Sequence, residues 1–166
     1  MKSWLVSTSL FVLALILVAC SASSSADMIE PGDKLGDFTI TTGVDGNFTY
    51  GFAVPCSEPS QGNTYTCTPT VGEKINVSTG LRGTSGTGNL DSVWKNSSYQ
   101  MFINDQPVDL AAFGTIDYNH PTAGTIRFAN VVLTTDKPGS ITVRDSGVFE
   151  NGDPFSSTST YVFSQP

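Results

Sequence analysis

The sequence predicts an all-β protein whose body is an antiparallel β-sandwich. Apolar residues recur with period two in short runs between Asp37 and Phe163. Turn-forming residues separate those runs. No stretch after Cys20 keeps an apolar stripe at helical spacing between caps. A chain of 166 residues is a natural length for one such domain.

Taken in order, Phe38 and Ile40 alternate with Thr39 and Thr41. Phe48, Tyr50, Phe52 and Val54 share one parity, and Gly43-Val44-Asp45-Gly46 reads as the hairpin loop joining the two runs. Ile75 and Val77 make a short strand. Tyr99, Met101 and Ile103 follow on one face. Asn104-Asp105, before Gln106-Pro107-Val108, forms a two-residue turn, because Asn and Asp tolerate left-handed backbone angles. Leu110-Ala111-Ala112-Phe113 suffices for one helical turn. Ile126 and Phe128 oppose the parity of Val131 and Leu133, and a β-bulge near Ala129-Asn130 would bring all four to one face. Asp136-Lys137-Pro138-Gly139 has Pro and Gly in type II order ahead of Ile141 and Val143. Asn151-Gly152 signals a hairpin between Val148-Phe149 and Phe155, and Phe155, Tyr161 and Phe163 share the last face. Eight or nine short strands of this kind favour an immunoglobulin-like sandwich first and a jelly roll second.

The amino end has a different character. Lys2 is its one charge, and Leu10 to Ala19 is an unbroken apolar run, the plan of a secretory signal over residues 1–19. A membrane span needs about 20 apolar residues, more than this run supplies. Leu17-Val18-Ala19-Cys20 resembles the lipobox of bacterial prolipoproteins. That resemblance implies cleavage before Cys20, a diacylglyceryl group on its sulfur, and often a further acyl chain on its amino group. Two or three chains anchor stably where one binds marginally. Membrane lipid is therefore the expected partner, with the body facing outside the cytoplasm. Ser21, where the best-known family members use Asp for inner-membrane retention, favours an outer membrane if the cell has one. The alternatives are an uncleaved signal anchor and ordinary secretion with cleavage after Ala22.

Residues 20–36 then read as the lipidated Cys and a Ser/Ala-rich tether, and 37–166 as the sandwich domain. Past Ala19 there are 7 positive and 15 negative residues, a balance of −8 that an anionic membrane repels, so lipid rather than charge would hold the body. The same acidity argues against nucleic-acid partners.

Cys56 and Cys67 form an even pair in an exported domain and are expected to be disulfide-bonded, the alternative being two free thiols. Closing that loop would contribute about 3 kcal/mol on the chain-entropy view. Metal, cofactor and catalytic residues are not expected. One His, His120, sits in Asp117-Tyr118-Asn119-His120-Pro121 and reads as part of an exposed turn. Asp105, Asp109 and Asp117 lack calcium-loop spacing. The glycine-rich run Arg82 to Asn89 lacks the Lys-Ser/Thr of a phosphate loop. Asn47, Asn76 and Asn96 each begin a glycosylation acceptor pattern. Trp94 and Tyr99, flanking Lys95-Asn96-Ser97-Ser98, are the candidate ligand-binding aromatics, since rings beside polar groups suit sugars. The expected role is noncatalytic binding, adhesion or assembly in the cell envelope, through a protein or glycan partner. A carbohydrate-binding module is the alternative, and a secreted hydrolase comes third.

Overall fold

The period-two runs become strands whose inward residues close a common core. In this computed structural model the described residues are 28–43, 47–57, 59, 63–78, 80–82, 89–122 and 124–166. The expectations for the signal, for Cys20 and for the tether through residue 27 lie outside them, as do 44–46 and 83–88 of the two expected loops.

Strand β2 (Phe38–Thr41) lies antiparallel between β1 (Lys34–Leu35) and β11 (Val132–Thr135). β5 (Ile75–Asn76) follows β11, and β3 (Thr49–Tyr50) joins β5 in parallel. A second five-stranded sheet has the order β4 (Thr64–Cys67), β13 (Pro154–Phe163), β12 (Gly139–Val148), β7 (Ser98–Ile103), β8 (Gln106–Pro107). A three-stranded antiparallel sheet places β10 (Gly124–Ala129) between β6 (Gly80–Arg82) and β9 (Thr115–His120).

The two large sheets meet through one apolar cluster. Phe38, Ile40, Ile75 and Leu133 come from the first, and Met101, Ile103, Ile141, Val143, Tyr161 and Phe163 from the second. The Phe38 and Phe163 rings cross it edge to face, 5.6 Å apart. Each fully buried aliphatic side chain of this kind contributes about 1.5–3 kcal/mol relative to exposure. The all-β sandwich expected from the alternation is thus observed, but its sheets are mixed. β3 and β4 are parallel to their neighbours because they arrive by long connections, not hairpins.

Both Asn-containing turns form. Asn104 and Asp105 have φ of 48° and 64°, and Asn104 Oδ1 also accepts from Thr142 N at 3.0 Å, tying the turn to β12. Gly152 has φ of 88° in the loop closing the β12–β13 hairpin.

Several local readings are corrected. β2 and β3 do not pair: β11 and β5 lie between them, and a 3-10 turn over Gly51–Ala53 ends the run in which Phe52 was placed. The expected bulge is a change of sheet. Ala129 pairs with Thr115 in the small sheet and Val132 with Thr41 in the first, so parity switches at Asn130-Val131 as the chain crosses over. Gly139 has no positive φ and instead opens β12 opposite Phe163, so Pro138-Gly139 is not a type II centre. Helix α1 (Leu90–Asn96) went unread because seven residues hold too little periodicity. It is nonetheless capped, with Asn89 Oδ1 accepting from Asp91 N at 3.0 Å and Lys95 in the last turn. The single expected turn is α2 (Leu110–Phe113), capped by Asp109 Oδ1 accepting from Ala111 N and Ala112 N.

The body also begins before the expected boundary at Asp37. Ile29 is fully buried, donates its N–H to Pro107 O at 2.8 Å, and accepts from Asp109 N at 3.0 Å. Its surroundings in sequence, Pro31-Gly32, hid an apolar anchor within an apparent tether. Ile29→Ala is expected to lower unfolding free energy by about 2–5 kcal/mol, while the exposed Met28→Ala stays near neutral. Urea denaturation followed by tryptophan fluorescence measures both, and equal effects would remove Ile29 from the core.

Candidate functional site

The inner face of the second sheet does not stay apolar. On β12 the inward parity reads Ile141, Val143, Asp145, and on β13 it reads Phe163, Tyr161, Ser159, Ser157. Antiparallel register sets Ile141 opposite Tyr161, Val143 opposite Ser159 and Asp145 opposite Ser157. β4 adds Tyr65 beside Ser159 and Cys67 beside Tyr161. One end of this face is therefore core, and the other carries a carboxylate and hydroxyls. Asp145 is only 4% exposed, a position that is costly for a charge unless it is hydrogen-bonded. Tyr99 Oη donates to its Oδ1 at 3.2 Å. Burial first, and the Asp145 charge second, push the Tyr161 hydroxyl well above the usual phenol range, so it remains a proton donor at neutral pH.

The polar end opens into a cleft of about 540 Å³. Val77, Ser78, Gly80 and Phe128 form its opposite wall, and the Gly51–Ala53 turn with Val54 forms its roof. The wall is held by a buried polar knot. Asn76 Nδ2 donates to Ala129 O at 3.1 Å, Ser78 Oγ donates to the same carbonyl at 2.6 Å, and Ser78 N donates to Asn76 Oδ1 at 3.3 Å. Asn76 is fully buried, so in the fold its acceptor pattern serves structure and offers no glycosylation site, whereas Asn47 and Asn96 are exposed. At Gly51 a Cβ would stand 2.7 Å from Tyr161 Oη and 2.9 Å from Asn76 O, so glycine lets the roof approach that closely. The Cys56–Cys67 disulfide forms as expected, across an antiparallel bridge, and lines the cleft.

Aromatic rings surround the mouth. Phe52 stacks on Tyr50 at 5.4 Å and lies 6.0 Å from Phe128, while Tyr50 contacts Tyr118 at 4.4 Å. Phe52 is 54% exposed. A neighbouring depression of about 280 Å³ shares Phe52, Gly80 and Phe128 and adds His120, whose ring sits 6.0 Å from Phe52. His120, expected in an exposed turn, is instead the half-buried last residue of β9, its ring near Phe52 and Tyr118; the turn follows it, and Thr122 N donates to its Nδ1 at 3.3 Å.

The expected ligand aromatics lie elsewhere. Trp94 on α1 and Tyr99 on β7 are half-buried against the core, 6.0 Å apart, beside a separate depression of about 320 Å³. Tyr99 joins the two places: its ring stacks on Phe155 at 5.8 Å, and its hydroxyl reaches Asp145. Ser97 Oγ, enclosed beside Trp94, has no hydrogen-bond partner among the described residues. Asp105, Asp109 and Asp117 are spread over structural tasks. Asp105 lies 3.5 Å from Arg144, Asp109 caps α2, and Asp117 takes Arg127 through two oxygens at 2.6 and 2.8 Å. Arg127 also reaches Asp91 at 2.6 Å and so docks α1 on the small sheet. Among the described residues no group of three His, Cys, Asp or Glu side chains could hold a metal ion.

Asp145, Ser157 and Ser159 were missed in sequence. The available signal was their place on the same parity as Ile141 and Val143 or Tyr161 and Phe163. Phe52 was seen but assigned to a strand face, and only its 3-10 turn exposes it.

No family model, curated protein or solved structure matches this chain.

Reduction and alkylation of the purified protein is expected to need reductant, to add about two hydrogens before alkylation, and to cost about 3 kcal/mol of stability. Thiols that alkylate without reductant would contradict the bridge. Arg127 holds the Asp117 carboxyl below its ordinary value, chiefly by hydrogen bonding. A depressed carboxylate stabilises the fold above its unfolded value and loses that contribution as pH falls through the folded one. Asp117→Asn should therefore flatten the acid side of the stability–pH curve below about pH 4. Solvent screening keeps the effect near 1 kcal/mol or less, and an unchanged acid limb would exclude the pair as a contributor.

Proposed function

We propose that this chain is a lipid-anchored protein of the bacterial cell envelope whose sandwich binds a ligand noncatalytically. Two separate lines support the reading. Leu17-Val18-Ala19-Cys20 supports export, acylation of Cys20 and attachment to a membrane with the body outside the cytoplasm. The observation that carries the binding role is the cleft, where β12 and β13 place Asp145, Ser157 and Ser159 at positions their own alternation assigns to the core. Burying such groups opposes folding unless they are satisfied, and their convergence under an aromatic mouth is the usual composition of a ligand site.

The anchor is tested in a bacterium that processes lipoproteins. The full chain should incorporate labelled palmitate and sediment with membranes, and Cys20→Ser should lose both. A mature chain that begins after Cys20 would overturn the anchor. The binding role is tested by screening a mixed small-molecule library against the full chain in detergent. Hits are expected to move the methyl resonances of Val54 and Val77, which line the cleft. Binding mapped only to other surfaces would displace the cleft as the site.

A further inference from the structure

We infer that the cleft takes a neutral saccharide ring, stacked on Phe52 and hydrogen-bonded by Asp145, Ser157, Ser159 and Tyr161. The inference rests on the cleft being the binding site and names its ligand class. A pyranose presents an apolar C–H face and a rim of hydroxyls that both donate and accept. Its site therefore needs an accessible aromatic face next to side chains of both hydrogen-bonding characters.

The cleft supplies both within one volume. Among the described residues Phe52 is the most exposed aromatic ring, and the stacked Tyr50 helps fix its position. Phe128 and Tyr118 pack beside the pair, so the platform costs little side-chain entropy on binding. Inside, the Asp145 carboxylate accepts, the Tyr161 hydroxyl stays protonated, and the two serine hydroxyls do either. A space of about 540 Å³ lies within the ordinary range for small-ligand sites.

The Trp94 depression is the weaker platform for the same chemistry. Leu110, Ala111, Gly114 and Thr115 line it with the two half-buried rings, and Ser97 Oγ is enclosed. At about 320 Å³ it is smaller than the cleft, and among the described residues no carboxylate lines it. The sugar-binding face anticipated at Trp94 and Tyr99 is thus relocated across the sheet to Phe52.

The experiment titrates the full chain in detergent with soluble chitohexaose, cellohexaose and maltohexaose, with 2-phenylethylamine and octanoate as non-saccharide probes. The readouts are calorimetric affinity and the Val54 and Val77 methyl shifts. At least one saccharide is expected to bind and move both methyls. Phe52→Ala, at an exposed position, should weaken it at least tenfold, and Ser157→Ala should weaken it several-fold. Trp94→Ala should leave the affinity unchanged. Circular dichroism of each variant separates lost binding from lost folding. Saccharide affinity that survives Phe52→Ala but falls with Trp94→Ala overturns the inference. If only phenylethylamine or octanoate moves the cleft methyls, the binding role stands and the saccharide class falls. If no probe moves them, both fall.

Discussion

The register of the β12–β13 hairpin is the constraint on which the rest of the molecule depends. Ten residue pairs run from Gly139–Phe163 to Val148–Pro154. They decide which side chains of the central sheet face inward. A slip of β13 by one residue against β12 would turn Tyr161 and Phe163 to solvent and bring Thr160 and Val162 to the core face beside Ile141 and Val143. Loss of those apolar contacts makes the slip prohibitive, so the register is strongly specified. The same register carries Asp145, Ser157 and Ser159 inward, because parity does not distinguish polar from apolar. The stable half of the hairpin thereby holds its polar half in place.

That polar half receives support from a neighbouring strand. Tyr99 reaches over from β7 to Asp145, two residues along β12 from Gly147, which pairs with Tyr99 directly. Across the cleft, Asn76 and Ser78 converge on the Ala129 carbonyl at the point where the chain leaves the small sheet for the first. A carbonyl at such a crossing has lost its ladder partner, and leaving it buried and unpaired would cost about 1–3 kcal/mol. The polar wall of the cleft thus begins as the solution to a topological problem. The cleft arises where two sheets fail to be continuous.

The full chain carries a net charge of −7, and such acidity offers an anionic surface no electrostatic attraction. The ion pairs among the described residues are local. Arg127 gathers Asp91 and Asp117 to seat α1, and Lys137 meets Asp37 at the surface, where such pairs contribute little. The burial of Ile29 matters more, since it makes the exit point of the amino-terminal segment a fixed part of the core.

By itself the sequence determined what local chemistry controls. Alternation such as Phe38-Thr39-Ile40 and Tyr99-Gln100-Met101 marks strands because side chains alternate faces at every residue. Asn104-Asp105 and Asn151-Gly152 mark turns because those residues accept the backbone angles that turns require. An even cysteine pair marked the bridge. Tertiary structure alone decided which strands pair, since period-two patterns are alike in every sheet and carry no address for a partner. It therefore separated β2 from β3 and converted an apparent bulge into a change of sheet. It also decided the cleft. Ser157 and Ser159 are ordinary strand polars in sequence until register puts them opposite Asp145 and Val143, and Phe52 belongs to a strand face in sequence until a 3-10 turn takes it out of the strand. A site assembled from β12, β13, β4 and a turn near residue 52 is a property of distances between segments, which residue identities in one dimension do not encode.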